Sequence, residues 1–388
     1  MNIRYTIYEM IIIGAVLLAG CSQDDVTVEV TAGASVPISF ACSEETNITR
    51  AAYLGAMNSE DLYYSGFGVF ASQTADHKPD LMYNQEVEFT FVGDMENPLK
   101  GYWSYQPVKY WPADMENSNF LISAYAPYVE PADLTGLTED NTGIIGISTN
   151  TQSPYIEYRR CEKPADVVDL LWYVEEPRAI PTPSGKARGT MDMKLRHALA
   201  RIEINVVLAE PAADTKVLIE KITLTGKMAK TGRLSLSSQT SETIGTETKY
   251  YPVWSDQVND KDESDVDKDH TITISNADND DASYGIIDSQ VRYVDGLPYA
   301  WQPEGLTTTA QNALSTGDRT GYIYLIPQET LNLTVKVKYH KMTLAGGDEM
   351  KIKTTKDAAI INVGTTVDET KILRGNTTYT LNLTLSGI

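Results

Sequence analysis

The sequence is short of the residues from which catalytic and metal sites are commonly built. Its 388 residues include three cysteines and four histidines. The histidines, His77, His197, His270 and His340, have no partner at the spacing of metal ligands, and the HExxH, GxSxG and GxxxxGK[ST] motifs are absent. We therefore expect no catalytic residue, no metal centre and no cofactor, and predict that the protein is not an enzyme.

Positive charge is also scarce. Lysine and arginine together number 32 against 53 acidic residues, which gives a formal net charge of −21. Polyanions are repelled by a chain with this balance, since a basic face is what usually attracts them. We predict that the protein binds neither nucleic acid nor an anionic membrane surface through charge.

Long apolar runs are missing beyond residue 20. The run from Met10 to Gly20 is too short for a membrane-spanning helix, which needs about 20 residues, but it follows Arg4 as the core of a secretory signal does. It ends in LAGC, which resembles the bacterial lipobox, where the cysteine is acylated and becomes the new N-terminus. We predict a lipoprotein signal peptide at residues 1–20 and lipidation of Cys21, with an ordinary signal peptide as the alternative.

A two-residue hydrophobic period dominates the rest of the chain and predicts β-strands with one buried face. The alternating runs are Ile202–Leu208, Leu331–Tyr339 and Tyr379–Leu385. Further strand-like segments are Gly66–Ala71, Glu88–Val92, Phe120–Tyr125, Lys216–Leu224, His270–Ile274 and Tyr322–Ile326. Long amphipathic helices are not evident, so the pattern favours antiparallel β-sandwiches.

The chain is long enough for two domains, because a single core usually stops growing at about 250 to 300 residues. The segment Glu176–Gly189 is rich in proline and glycine, which disfavour regular structure. We place the boundary there and predict an N-terminal β-sandwich at residues 51–185 and a C-terminal one at residues 186–388.

A cluster of aromatic residues admits two interpretations. Trp103, Tyr105, Tyr110 and Trp111 lie within nine positions of one another. Exposed rings could stack on sugars, whereas buried rings would be part of a core, and we favour the core.

The stretch from Ser255 to Asp281 is dominated by aspartate. Its Asp265, Asp267 and Asp269 have the spacing that begins a calcium loop, but His270 stands where the turn needs glycine. We interpret the stretch as a solvated surface loop rather than a functional calcium site.

Several short motifs, taken in order, resemble the fimbrillin family of Bacteroidales. They are LAGC at 18–21, VPISFACSEETNITRAA at 36–52, YWP at 110–112, AYAPY at 124–128, DLL at 169–171, LRHALARIEINV at 195–206, LIPQ at 325–328 and RGNTTYTLNLTL at 374–385. The resemblance therefore covers essentially the whole chain, from the lipobox to the C-terminus.

This resemblance implies an all-β protein with two transthyretin-like antiparallel β-sandwich domains in tandem. It also implies a structural, tip or accessory subunit of a fimbrium used in cell adhesion, exported to the outer membrane surface as a lipoprotein precursor. Residues 21–50 would be a pro-segment, and a trypsin-like protease would cut between Arg50 and Ala51. The implied partners are other fimbrial subunits, the processing protease and a host or bacterial surface receptor.

The family assembles by strand exchange, and the pro-segment carries a candidate for the released strand. Val36, Ile38 and Phe40 alternate with polar or small residues, so they can form an edge strand whose departure opens an apolar groove. A disulfide between Cys42 and Cys161 would tether the released piece, so we expect both to be thiols.

The C-terminal run leaves two alternatives open. Tyr379, Leu381, Leu383 and Leu385 form either the last strand of the second sandwich or a strand donated to a neighbour. In the first case the end of the chain at Ile388 leaves nothing to donate, and the subunit would only accept a strand. The alternative function is that of a monomeric surface lipoprotein that binds glycans.

We predict that Cys21→Ser abolishes lipidation, because the thiol at the end of the lipobox is the acylated atom. Palmitate labelling of cells that express the protein measures this, and Cys42→Ser should label as the unchanged protein does. Equal labelling of the Cys21→Ser protein would rule out the lipobox interpretation.

Overall fold

The described part of the chain is mostly β-strand with very little helix, as the sequence predicts. The computed structural model describes residues 37–44, 57, 59–73, 81–93, 100–111, 119–138, 140–161, 167–179, 190–208, 215–226, 228–258, 270–275, 292–294, 297–299, 313–315, 323–329, 331–345, 349–353, 360–363, 365–367 and 370–385. The helices in these ranges are α1 (Ser59–Ser65) and a 3-10 helix (Pro131–Leu134). Neither is long and apolar enough to cross a membrane.

The described strands range from two to fifteen residues in length. The first nine are β1 (Ser39–Glu44), β2 (Phe67–Gln73), β3 (Met82–Phe91), β4 (Gly101–Ser104), β5 (Asn119–Ala126), β6 (Gly143–Ile147), β7 (Tyr155–Arg159), β8 (Leu171–Ala179) and β9 (Thr190–His197). The next eight are β10 (Ala200–Leu208), β11 (Thr215–Gly226), β12 (Thr231–Ile244), β13 (Glu247–Val258), β14 (His270–Ser275), β15 (Arg292–Val294), β16 (Leu297–Tyr299) and β17 (Ala313–Ser315). The last eight are β18 (Ile323–Leu325), β19 (Gln328–Glu329), β20 (Leu331–Ala345), β21 (Glu349–Lys353), β22 (Ile360–Val363), β23 (Thr365–Val367), β24 (Thr370–Leu373) and β25 (Thr377–Leu385).

A seven-stranded sheet organises the first half of the chain. Its order is β1-β9-β8-β5-β2-β3-β4. Strand β1 runs parallel to β9, and every other pairing in the sheet is antiparallel. A parallel pair cannot be closed by a tight hairpin, which is why β1 joins the sheet from far away in sequence.

The centre of this sheet is buried on both faces. Strand β5 sends Phe120 and Ile122 into one core and Leu121 and Tyr125 into another. Every residue of β2 is buried. Strands covered on both faces read as continuous apolar runs rather than as alternation, which explains the sequences of β2 and β5.

A second sheet covers one face of the first. It has the order β13-β12-β7-β6 and contributes Ile156, Tyr158, Leu234 and Leu236 to the shared core. Strands β12 and β7 come from opposite sides of residue 185, the end of the predicted N-terminal domain, yet they pair with each other.

The predicted boundary segment, Glu176–Gly189, begins inside a strand: its first four residues form the end of β8, which corrects the expectation that the segment holds no regular structure. Strands β8 and β9 lie on either side of its remaining residues and pair through Leu171 opposite His197 and Trp172 opposite Arg196. A segment rich in proline and glycine suits a hairpin connection as well as a linker, so composition alone does not locate a domain boundary. The division into residues 51–185 and 186–388 stays a prediction.

The second half of the chain forms further sheets. Strand β10 pairs with β17, β18 and β25, and strands β14-β11-β20-β21 form another sheet to which β22 adds. The alternating runs predicted from the sequence lie in β10, β20 and β25. The prediction of an all-β fold built from several sheets is confirmed.

Close packing at Gly68 ties β2 to its two neighbours. A Cβ atom at this position would lie 2.4 Å from Cε1 of Tyr125 and 2.8 Å from Oδ1 of Asn84. The Tyr125 hydroxyl donates a hydrogen bond of 2.6 Å to the same Asn84 oxygen, and Asn84 donates to the carbonyl of Val129 over 3.2 Å. Burial raises the pKa of Tyr125, so the phenol stays protonated as this donor.

We predict that Gly68→Ala lowers the free energy of unfolding by about 1–3 kcal/mol, because the new methyl group overpacks a rigid site. Urea denaturation measures this. In the matched variant Gly146→Ala the nearest atom to the new Cβ is Oε2 of Glu157, at the end of a flexible side chain. That variant should stay within about 0.5 kcal/mol of the unchanged protein. Equal stability of both variants would contradict the packing account.

Candidate functional site

Strand β1 occupies a defined site at one end of the seven-stranded sheet. We call this site the β1 seat: β9 forms one side of it, and Trp103, Tyr105 and Lys109 form the other. Strand β1 pairs with β9 from Ser39 opposite Thr190 to Glu44 opposite Leu195, over six residue pairs. The hydroxyls of Ser39 and Thr190 add a hydrogen bond of 2.8 Å. One full backbone ladder therefore attaches β1 to the sheet.

Hydrogen bonds from one main-chain amide and two side chains attach the opposite side of β1 and the residue before it. The Ile38 amide donates to the Lys109 carbonyl over 2.9 Å. The Tyr105 hydroxyl donates to the Ile38 carbonyl over 2.8 Å, and the indole nitrogen of Trp103 donates to the Cys42 carbonyl over 3.3 Å. Because Trp103 belongs to β4, at the far end of the sheet, β1 joins the two ends of the sheet around its core.

Two buried side chains, Ile38 just before β1 and Phe40 within it, complete that core. They are 4% and 7% exposed. The Phe40 ring lies 6.0 Å from that of Phe67, edge to face, and 5.5 Å from that of Tyr105. The register places Phe40 beside the buried Met191. Burying a side chain of this kind contributes about 1.5–3 kcal/mol, so the seat is apolar as well as hydrogen-bonded.

Four of the predicted site residues lie outside the described part of the chain: Cys21, Val36, Arg50 and Ala51. Strand β1 begins at Ser39, while Pro37 makes one isolated bridge to Tyr110. Proline has no amide hydrogen to give to a ladder, which accounts for this start.

Cys42 follows Phe40 by two positions on β1, is partly buried and packs against the same core. Burial is the main cause that raises the pKa of its thiol, and the charge of Asp192 on β9 adds to it. Cys42 and Cys161 are both thiols and no disulfide joins them, as expected from the sequence. In the described residues, β1 is thus attached to the sheet by non-covalent contacts.

The buried side chain of Asp169 holds the main chain at Met57 and Leu170 and contacts His197. The amide of Met57 donates to Oδ2 of Asp169 over 3.0 Å. The same oxygen lies 2.6 Å from Nδ1 of His197, and the amide of Leu170 donates to Oδ1 over 2.9 Å. Sequence reasoning found no metal-ligand partner for His197 and overlooked Asp169, because the two are 28 positions apart.

Strand β25 holds the C-terminal run that the sequence left open. It pairs in parallel with β10 over nine residue pairs, with Tyr379 opposite Ile202 and Leu385 opposite Leu208. The guanidinium of Arg201 donates to the hydroxyl of Thr378 over 3.2 Å. Since β10 follows β9 in the chain, β1 and β25 pair in the same parallel manner with two successive strands.

The aromatic cluster near Trp111 is mainly core, as we favoured from the sequence. Tyr105 and Trp111 are 9% and 6% exposed, and the Trp111 ring packs on that of Phe120. Tyr102 and Tyr110 are exposed. The two buried rings have no face free for a sugar, which argues against a glycan platform on this segment.

Sequence reasoning missed a surface cluster of aromatic rings on α1 and β3. Tyr63 stacks on Phe89 with ring centroids 4.2 Å apart, and Tyr64 lies 5.2 Å from Phe91. The spacing of tyrosines on a seven-residue helix gives no signal for such a cluster, because pairing depends on how the helix meets β3.

Within the ranges that the structure describes, no group of three or more histidine, cysteine, aspartate or glutamate side chains is arranged to hold a metal ion. The aspartates Asp265, Asp267 and Asp269 fall outside those ranges. Their interpretation as a solvated loop stays a prediction.

Comparison with known proteins gives matches in structure alone. No protein-family model matches the chain, and no curated protein matches its sequence. A fimbrial protein from Bacteroides vulgatus superposes with a TM-score of 0.51 at 16% identity, over 91% of this chain and 96% of that one. A candidate cell adhesion protein from Bacteroides ovatus gives a TM-score of 0.37 at 12% identity, over 91% and 93%. The fimbrial anchor protein Mfa2 from Porphyromonas gingivalis gives 0.25 at 11% identity, over 57% and 73%.

The first of these likenesses extends over nearly the whole of both chains and supports a statement about fold. The other two are too loose to support one. The fold expected from the fimbrillin resemblance is confirmed: this chain has the all-β fold of a Bacteroides fimbrial protein.

Proposed function

We propose that this protein is a non-enzymatic subunit of a cell-surface fimbrium that serves adhesion, in which β1 is the strand released on maturation. The seat of β1 carries the proposal. The strand buries Ile38 and Phe40 in a core, yet one parallel ladder and a few side-chain hydrogen bonds are what attach it. The all-β fold that this chain shares with a fimbrial protein supports its proposed place in a fimbrium.

The proposed cut lies between two well-anchored parts of the chain. Strand β1 ends at Glu44, and Met57 is bound to the buried Asp169. A trypsin-like protease that cuts between Arg50 and Ala51 would separate β1 from the body without disturbing either contact. The long Arg50 side chain gives this specificity, because it can reach a carboxylate at the base of such a pocket.

Loss of β1 would leave an acceptor for a strand of another subunit. The edge of β9 would present unpaired amides and carbonyls beside an apolar groove, and both are unfavourable in water. A strand with alternating apolar side chains satisfies both requirements. The β25 run, with Tyr379, Leu381, Leu383 and Leu385, has this alternation, and in this structure it is paired with β10.

The proposed lipid anchor is on the same piece as β1. If Cys21 is acylated and the chain is cut after Arg50, the contacts of β1 would hold the body to the anchored piece at the outer membrane. Displacement of β1 by an incoming strand would then detach the subunit from its anchor. Assembly and release from the membrane would be one event, with other fimbrial subunits as partners and the fimbrium as the final location. A surface receptor would be the partner in adhesion.

The alternative is a monomeric lipoprotein that binds glycans. Its sequence basis was the aromatic cluster, and two of those rings, Tyr105 and Trp111, are buried. The two functions differ in what happens after low-dose trypsin. A fimbrial subunit should form ladders that resist mild heating in detergent, whereas a glycan-binding monomer should stay monomeric.

We predict that Arg50→Ala blocks maturation and assembly but not folding or export, because it removes the side chain that the protease recognises. Gel analysis of cell-surface fractions should show full-length precursor and no filament ladder. Arg50→Lys is the matched control, since a trypsin-like pocket accepts lysine, and it should still assemble. Filaments of Arg50→Ala protein at the normal level, with residues 21–50 attached, would refute the proposed cut.

We predict that Cys42 reacts slowly with thiol reagents while β1 is seated and rapidly once it leaves. Burial raises its pKa, so little thiolate is present near pH 8 in the seated strand. A released thiol returns to a pKa of about 8.5, where thiolate is abundant. The rate should rise when the cut protein meets excess synthetic peptide of residues 36–45 with serine replacing Cys42.

The measurement uses protein with Cys21→Ser and Cys161→Ser, so that Cys42 is the remaining cysteine of the three. Uncut protein with the same peptide is the control and should stay slow, because its own β1 remains attached. Fast labelling of uncut protein would contradict a closed seat.

A further inference from the structure

The side of β1 that faces β4 is held by donors that act on the main chain. The Tyr105 hydroxyl bonds the carbonyl of Ile38, and the Trp103 indole bonds the carbonyl of Cys42, four residues further on. Every strand offers carbonyls at this spacing whatever its side chains are. These two contacts would therefore be available to any strand that replaced β1.

Both donors are fixed in place by their surroundings. The Trp103 ring packs edge to face on Phe67, with centroids 4.8 Å apart, and on Phe89, at 5.1 Å. Tyr105 is buried, and its oxygen also accepts from the Lys109 amide over 3.2 Å. Burial raises the pKa of Tyr105, so it stays a protonated donor. Donors held in this way lose little freedom when they bind a strand.

Their spacing carries information about register. Successive carbonyls of a strand point to opposite sides, so the carbonyls of residues i and i+4 point the same way and lie about 13 Å apart. A slip of one residue turns both carbonyls away from the donors and sends the apolar side chains to the wrong face. A slip of two keeps the face but moves Phe40 out of its site between Phe67 and Tyr105.

We propose that Trp103 and Tyr105 are positioning residues that set the face and register of the strand in the β1 seat. The seat accordingly selects a parallel strand from a second fimbrial subunit with an aliphatic, an aromatic and a small residue at i, i+2 and i+4. In this chain those positions hold Ile38, Phe40 and Cys42. The inference rests on the proposed function for the identity of the incoming strand, but the register role is testable in the uncut protein.

The test traps the register with disulfides in the full chain. Cys21→Ser and Cys161→Ser leave Cys42 alone, and a second cysteine is placed at Met193, its partner, or at Asp192, the position that Cys42 would face after a slip of one residue. Neighbouring strands lie about 4.8 Å apart, which suits a disulfide. With both donors present, oxidation should link Cys42 to position 193 and not to position 192.

The decisive variants are Tyr105→Phe, which keeps the ring and removes one donor, and the double variant with Trp103→Phe. In the double variant the slip of one residue no longer costs these two bonds, so we expect a bridge at position 192 beside the one at 193. The exposed neighbour Tyr102 supplies the matched control, because Tyr102→Phe should leave the bridge at 193 alone. If Trp103 and Tyr105 only fill the core, the variants lower stability and the bridge stays at 193, which would overturn the inference.

A second measurement separates this inference from the proposed function. Protein cut after Arg50 is mixed with a fluorescent peptide of residues 36–45. Tyr105→Phe should weaken capture about fivefold, the effect of one lost hydrogen bond, and Tyr102→Phe should not. Equal capture by Tyr105→Phe and unchanged protein would overturn the inference. If no cut protein captures the peptide, but the uncut double variant still shows the change in disulfide position, strand exchange is rejected and the register role of Trp103 and Tyr105 stands.

Discussion

The edge of β9 that β1 covers is the constraint on which this structure depends. Strand β9 contributes three buried side chains to the core: Met191, Met193 and Leu195. They remain shielded from water only while a strand covers that edge. An open edge leaves a row of backbone groups and an apolar groove in water, so some strand must occupy the seat. In the intact chain that strand is β1, which comes from far away in sequence and runs parallel.

The contacts of β1 divide into two kinds with different consequences. Burial of Ile38 and Phe40 supplies affinity, and it depends on the shape of the side chains. The ladder to β9 and the bonds from Trp103 and Tyr105 act on the main chain, and any strand can receive them. A seat built in this way holds its own strand firmly and can still accept another, which is what a subunit assembled by strand exchange requires.

Sequence reasoning recovered the parts of this picture that depend on local pattern. The alternation around Phe40 and in the β25 run predicted strands, and both are found. The parallel pairing of β1 with β9 was not predictable, because the hydrophobic alternation of a strand does not specify which other strand it pairs with. The Asp169–His197 pair and the Trp103 bond to Cys42 were missed for the same reason, since each joins residues that only the fold brings together.

The central claim is that β1 must leave its seat for the subunit to assemble, and a removable disulfide between β1 and β9 tests it most directly. With Cys21→Ser, Cys161→Ser and Met193→Cys, oxidation joins Cys42 to its partner position on β9, and low-dose trypsin then cuts after Arg50. The oxidised, cut protein should stay monomeric, and reduction of the same sample should restore ladders that resist mild heating in detergent. Ladders formed at equal yield with the disulfide intact would contradict the account.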